Sequence, residues 1–255
     1  PEKAQDEISC VLERLCRRTS GPSLMPDRFL LERSIIEVFG MTGMGKSRWT
    51  RDYLKDKERV IIMDTQNEHD GILFDDLGAM IDHIRAYHTF LVRTEYPDDS
   101  DMLCAIAFAA GNCTLVIEEA QRVLPPSRTS PPDSFLNVVY RGRHPRVSLL
   151  LVSQRPTTVH IAARSQWNRI ICFRQTEPAD VDWITNVSGY GDIDPLHLPQ
   201  SRYYDISPVG CTMGTAPGWD KKRLDRVYQD EIMRPESAET VPTEQPQTEV
   251  PTNAE

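Results

Sequence analysis

The chain is 255 residues long, 39% hydrophobic and 26% charged, with a formal charge of −9. That length suits one α/β domain with additions or two small domains, and it is ample for a real core. Residues 229–255 hold seven acids against one base and leave only −3 on the other 228 residues, which excludes a uniformly acidic protein and equally a strongly basic DNA-coating one.

The chain opens at Pro1, without Met and without a secretory apolar stretch, as expected of a processed or trimmed product. No apolar run approaches the roughly 20 residues that cross a bilayer, so no transmembrane segment is predicted. The six cysteines (10, 16, 104, 113, 172, 211) show neither a CxxC nor a Cys/His ligand spacing. They read as reduced thiols of a cytosolic protein, with Cys104, Cys113 and Cys172 buried, rather than as a zinc site.

In chain order, Ile8, Val11, Leu12 and Leu15 fall at helical spacing within an N-terminal segment, residues 1–33, and Gly21, Pro22 and Pro26 end that helix. A strand Ser34–Phe39, a turn Gly40–Gly45 and a helix Lys46–Lys55 follow. Further apolar strands are predicted at Val60–Met63, Thr89–Val92, Thr114–Ile117, Val147–Val152 and Arg169–Phe173. Helical stretches fall around 75–86, 99–110, 133–141, 160–167 and 178–186. Nearly continuous β-branched strands alternating with helices predict an α/β domain over 34–228, built on a mainly parallel sheet with helices on both faces. After Gly189 the alternation weakens, and Arg202–Ile206 and Val209–Met213 around Ser207-Pro208 suit a terminal hairpin. Residues 229–255 are acidic, Pro-rich and free of aromatics, which predicts a disordered tail.

Three stretches carry chemistry. Gly40-Met41-Thr42-Gly43-Met44-Gly45-Lys46-Ser47 fits the P-loop pattern G-x-x-x-x-G-K-[ST] without a mismatch, between a strand and a helix. Its glycines let backbone N–H groups turn inward around nucleotide phosphates, at the positive end of a helix. Lys46 is then expected on the β- and γ-phosphates of ATP, and the Ser47 hydroxyl on Mg²⁺. A Gly-rich turn that merely contains Lys-Ser would not need both flanks to agree.

The second stretch, Thr114–Ile117 followed by Glu118 and Glu119, is an apolar strand ending in two acids. Such an end can deliver Glu118 to the Mg²⁺ shell and Glu119 to the attacking water as general base. Most comparable ATPases carry Asp at the first of these positions, so Glu118 reaches one methylene further. The third stretch, Leu149–Ser153 ending in Gln154-Arg155-Pro156, can set an amide beside the γ-phosphate or the water. Its plainer reading is a strand-end Gln closing a loop.

The run from Tyr140 through Arg141-Gly142-Arg143 to Gln154-Arg155-Pro156 resembles the FtsK/HerA superfamily of DNA-pumping ATPases. Asn168–Phe173 resembles the next strand of that family, and Val60–Glu68 its strand after the P-loop, ending in an acidic turn. The resemblance implies a RecA-like core acting as a homo-oligomeric ring, usually a hexamer, on double-stranded DNA without sequence preference. It also implies an arginine finger given by one subunit to its neighbour's ATP, and the matching positions are Arg143, the first choice, and Arg141. A basic helix end complementing its own dipole is the alternative for both.

The 33 residues before the first strand are too few for the β-barrel of HerA, and neither that barrel nor an appended winged-helix module is expected in this sequence. What remains resembles the compact packaging ATPases of viruses, or the zonular-occludens-toxin-like assembly ATPases of filamentous phage. A cytoplasmic or virion-associated place and a capsid or membrane-associated partner follow from that resemblance.

The remaining features are plain. The six histidines, His69 among them, are scattered and read as structural or surface residues. The four tryptophans are too widely spaced for a single-strand stacking platform and suit packing. Arg155, Arg164, Arg169 and Arg174 could face a pore or serve solvated and interface roles. A P-loop kinase is disfavoured by the water-activating set Glu118, Glu119 and Gln154 and by the lack of an Arg-rich lid. A GTP switch is disfavoured by the absence of N-K-x-D.

Overall fold

The structure, a computed structural model, describes residues 32–127 and 129–218. The helix expected within 6–18, Trp219, the cysteines at 10 and 16 and the acidic Pro-rich tail lie outside the described residues. The elements in order are β1 Ile35–Phe39, α1 Lys46–Leu54, β2 Arg59–Met63, β3 Ile72–Leu73, α2 Leu77–Ala86, β4 Phe90–Thr94, α3 Ser100–Ala110 and β5 Thr114–Ile117. They continue with α4 Asp133–Arg141, β6 Ser148–Ser153, α5 Ile161–Arg164, β7 Arg169–Cys172, α6 Pro178–Ser188, β8 Arg202–Ser207 and β9 Gly210–Thr215.

All nine of these strands form one sheet in the order β3-β4-β2-β5-β6-β1-β7-β8-β9. Pairing is parallel from β3 through β7 and antiparallel only for β7–β8 and β8–β9. The expected α/β class with a mainly parallel sheet holds, and the closing hairpin is the antiparallel edge. From β1 to β3 the chain steps one way along the sheet, and from β3 to β7 it steps back. Right-handed crossovers therefore set α1 on one face and α2 to α5 on the other.

Every residue of β1, β2, β5 and β6 is buried. This two-sided burial is why their sequences run apolar without alternation. Packing around the core includes Trp49 stacked on Tyr53 at 5.3 Å and Trp183 edge-on to Phe39 at 5.8 Å. Cys104, Cys113 and Cys172 are buried free thiols as expected, and burial pushes the Cys113 thiol up to about 12.

Three elements differ from the sequence-based expectation. The two-residue edge strand β3 is too short to leave a periodic signal. β4 runs on through Arg93 and Thr94 because Arg93 finds polar partners there, with Nη1 2.7 Å from Asn67 Oδ1 and 3.4 Å from Asp64 Oδ2. The helix expected over 160–167 stops at Arg164 because Asn168 is drawn into the sheet. The Asn168 N–H donates to Ile35 O at 3.0 Å, and its Oδ1 accepts from the Ile35 N–H at 3.0 Å.

A parallel sheet gathers the carboxyl ends of its strands on one edge, where ligands of open α/β sheets bind. Here that edge collects the turns after β1, β2, β5 and β6. The α4–β6 connection, with Arg141 and Arg143, lies at the other edge.

Candidate nucleotide site

The turn Gly40–Gly45 leaves β1 and is pinned at both ends. The Gly40 N–H donates to Gln154 O at 3.2 Å, and the Met41 N–H donates to Arg174 O at 3.1 Å. Gly40 has φ +155, and a Cβ built there would stand 2.4 Å from Phe173 Cβ. Only glycine lets the loop pass β7 this closely. On the other flank Gln200 Nε2 donates to Gly43 O at 3.2 Å and the Ser201 N–H to Met44 O at 3.0 Å, so the β8–β9 edge braces the loop. Thr42, Gly43 and Gly45 line the cleft, whereas the Met44 side chain is buried in the core.

Lys46 opens α1 and folds back over the loop, its Nζ donating to Gly40 O at 2.7 Å and Met41 O at 3.2 Å. Burial lowers the proton affinity of this amine, and the charges of Glu118, Glu119 and Glu68 oppose that shift. The adjacent Ser47 hydroxyl donates to the Glu68 carboxylate.

β6 lies between β1 and β5, so Gln154 sits between the P-loop and the two acids. Glu119 stands in the left-handed region with φ 50, which turns the chain sharply after β5. Gln121 Nε2 donates to Glu119 Oε2, and Ser153 Oγ donates to Gln121 Oε1 at 2.8 Å. Gln154 Nε2 stands 3.5 Å from each Glu119 oxygen. Glu118 turns inward, with Oε1 2.6 Å from His69 Nε2. Burial works against a charged His69 ring, but the hydrogen bond and charge of Glu118 and the charge of Asp64 hold its proton affinity above the ordinary value.

These groups share one cleft of about 520 Å³, lined by Lys46, Ser47, Glu68, Glu118, Glu119 and Gln154 together with P-loop backbone. Arg51 of α1 also lines it and feels the charges of Asp70, Glu68, Asp64 and Glu118. The donor set toward a metal is oxygen only, a hydroxyl and carboxylates, which suits a hard cation such as Mg²⁺. Among the described residues no three His, Cys, Asp or Glu side chains group to hold a metal unaided. Mg²⁺ bound through one or two carboxylates, phosphates and water needs no such cage. The residues present therefore fit Mg²⁺–ATP.

Arg141 and Arg143 do not enter this cleft. Both are exposed at the end of α4 and in the turn before β6, at the far end of the strand that carries Gln154. The turn is tight: a Cβ on Gly142 would lie 2.2 Å from Val138 O. The last carbonyls of α4 are served instead by Arg33, whose Nη2 donates to Val138 O at 3.1 Å and Val139 O at 2.6 Å. Among the described residues neither the Arg141 nor the Arg143 side chain makes a hydrogen bond or ion pair; their carbonyls accept only within the turn, from the His144 and Arg146 N–H groups at 3.1 and 3.3 Å.

The arginines considered for a pore are mostly engaged internally. Arg155 Nε donates to Asp180 at 2.6 Å, and Arg169 makes a two-pronged pair with Asp205 at 2.9 and 2.6 Å. Arg174 Nε donates to Leu198 O, and Arg164 lies 5.5 Å from the Trp183 ring centre. His69, expected as a structural or surface residue, is buried and touches Glu118. The only trace in the sequence is its place beside the acidic turn after β2.

No protein-family model and no curated protein sequence matches the chain. Solved structures do. The genome packaging NTPase B204 of Sulfolobus turreted icosahedral virus 2 in complex with sulfate superposes with a TM-score of 0.63 at 19% identity, over 75% of this chain and 100% of that one. The same protein in complex with AMPPCP gives 0.60 at 18% identity, over 73% and 98%. The fold is that of the P-loop NTPases. The pCW3 conjugation coupling protein TcpA shares it with a TM-score of 0.52 at 13% identity, over 75% of this chain and 62% of that one. These neighbours agree with the FtsK/HerA resemblance in fold. Among the described residues no helix is long and apolar enough to cross a membrane.

Proposed function

We propose that the protein is an ATP-hydrolysing subunit of a homo-oligomeric ring that moves double-stranded DNA, as a viral packaging motor does. The observation that carries the reading is the gathering of Lys46, Ser47, Glu118, Glu119 and Gln154 in one cleft, while Arg141 and Arg143 stand exposed at the opposite sheet edge. The first set suffices to bind a nucleotide triphosphate and direct water at it. The second can act on such a site only from another copy.

On this reading the P-loop N–H groups and Lys46 cradle the phosphates, and Lys46 exchanges the Gly40 and Met41 carbonyls for phosphate oxygens. Ser47 and Glu118 hold Mg²⁺, which when bound neutralises charge developing between the β- and γ-phosphates. Glu119 takes the proton of the attacking water, and Gln154 orients that water and registers the γ-phosphate. Arg143, with Arg141 as the alternative, stabilises the transferred group from a neighbouring subunit and so ties hydrolysis to assembly. A near-neutral core suits a motor that grips DNA weakly, because a ring multiplies a few basic contacts. The packaging reading places the protein in the cytoplasm or on the virion, with the capsid or a membrane-associated assembly as partner.

The fold likeness to B204, a genome packaging NTPase, and to TcpA, a conjugation coupling protein, is in keeping with DNA as the substrate. The test is filter binding of duplex DNA with a non-hydrolysable ATP analogue, together with ATPase rates with and without that DNA. Nucleotide-dependent retention and stimulated turnover, both lost in Lys46→Ala, are expected. Turnover indifferent to DNA, with no retention, would return the protein to the assembly-ATPase reading.

A further inference from the structure

The two side chains assigned to the metal are each met by a neighbouring residue of a single turn. The Ser47 hydroxyl donates to Glu68, and His69 Nε2 lies 2.6 Å from Glu118 Oε1. Both residues hang from Asp64, which is fully buried at the end of β2. Its Oδ1 accepts from the Glu68 N–H and its Oδ2 from the His69 N–H, each at 2.9 Å.

We propose that His69 is a positioning residue for Glu118. Its Nε2–H holds one carboxylate oxygen so that the other is presented to the Mg²⁺ shell. The inference rests on the nucleotide reading above, in which Glu118 is the metal ligand. Three observations carry it. The contact is short and interior, with side chains 1% and 8% exposed. Among the described residues His69 is the one hydrogen-bond partner of the Glu118 carboxylate. And the other ring nitrogen, Nδ1, is buried without a partner. A buried ring nitrogen without a partner is costly, so the ring is placed by its bond to Glu118 rather than by full satisfaction of both nitrogens. Here one nitrogen goes unserved while the other serves the acid.

The arrangement also accounts for Glu where Asp is usual. The longer arm has one more rotatable bond, and a ring donor fixed by the next strand's turn removes that freedom. Partners of this kind, one step out from a metal, typically change metal affinity or activity by about 10–100-fold.

The test uses the full chain and a fluorescent ATP analogue, titrated with Mg²⁺, for the wild type, His69→Phe and His69→Gln. His69→Phe is expected to weaken the apparent Mg²⁺ affinity of the nucleotide complex by about 10–100-fold. His69→Gln, which keeps a side-chain N–H, should recover most of it. Nucleotide affinity in EDTA should be equal in all three, and kcat should fall further than KM rises. If circular dichroism shows His69→Phe unfolded, His69→Asn, whose shorter amide cannot reach Glu118, takes its place. Wild-type Mg²⁺ dependence in the donor-free variant, or equal impairment of His69→Gln, would overturn the inference and leave the nucleotide reading intact. Absence of Mg²⁺-dependent nucleotide binding in the wild type would overturn both.

Discussion

Gln154 and Arg143 stand beyond opposite ends of one strand, β6, whose six residues are all buried. At about 3.3 Å per residue that strand separates the two by roughly 20 Å, so they cannot act on one phosphate within one subunit. The same strand thus fixes a water-orienting amide at one edge of the sheet and an exposed guanidinium at the other. A ring in which one copy's arginine edge faces the next copy's cleft uses both.

Glu119 is held on both sides, by Gln121 and near Gln154, and projects into the cleft without the interior partner that Glu118 has. Glu119→Gln should therefore leave Mg²⁺–ATP binding within about twofold and lower kcat by about 10²–10⁴, the usual worth of a general base. Nucleotide binding and single-turnover hydrolysis measured side by side check this. A comparable loss of binding would assign Glu119 to the phosphates rather than the water.

Asp180 is fully buried at the start of α6 and accepts from Arg155 Nε at 2.6 Å, Thr157 Oγ1 at 2.6 Å and the Thr157 N–H at 3.1 Å. This anchors the residue next to Gln154. Arg155→Ala, which leaves the buried carboxylate one donor short, should cost about 1–2 kcal/mol. For a domain of this size that lowers Tm by roughly 2–8 °C. Lys55→Ala, which breaks an exposed pair with Asp52 at 2.8 Å, should cost no more than about 0.5 kcal/mol. Thermal melts of the two variants compare the interior latch with a surface pair.

Glu37, in the middle of β1, is fully buried, and neither carboxylate oxygen has a hydrogen-bond partner among the described residues. Burial raises its proton affinity well above the usual carboxylate range, and the charge of Arg164 offsets this only in part. The folded state therefore keeps a proton that the unfolded chain releases. Stability contributed by this group falls as pH rises from the ordinary carboxylate range toward the raised folded value. Glu37→Met, similar in volume and without a charge to bury, should stabilise the protein more at pH 8 than at pH 5. Urea midpoints at both values decide it, and a gain independent of pH would contradict the account.

The parts of the site that were legible in the sequence are those that are contiguous in it. Gly40–Ser47, Glu118-Glu119 and Gln154-Arg155-Pro156 each follow an apolar strand, and a parallel sheet brings the ends of such strands to one edge. The strand order was not legible, since nothing local says that β6 separates β1 from β5. Nor was His69, whose role depends on a contact with Glu118, 49 positions away. Arg155 and Arg169 read as available for phosphate because their acids, Asp180 and Asp205, lie 25 and 36 positions away. Glu37 is not legible for a related reason. A lone acid within an apolar strand has no pattern, and only its burial without a partner makes it informative.

The shared site between copies is the central claim, and ATPase rate against protein concentration tests it most directly, with and without duplex DNA. Specific activity is predicted to rise cooperatively with concentration, and Arg143→Ala to lower it by about 10³-fold or more, the range known for arginine fingers. Mixing Arg143→Ala with Lys46→Ala, each inactive alone, should restore activity, because the intact cleft of the first meets the intact arginine of the second. A specific activity flat with concentration, with no recovery on mixing, would contradict the account.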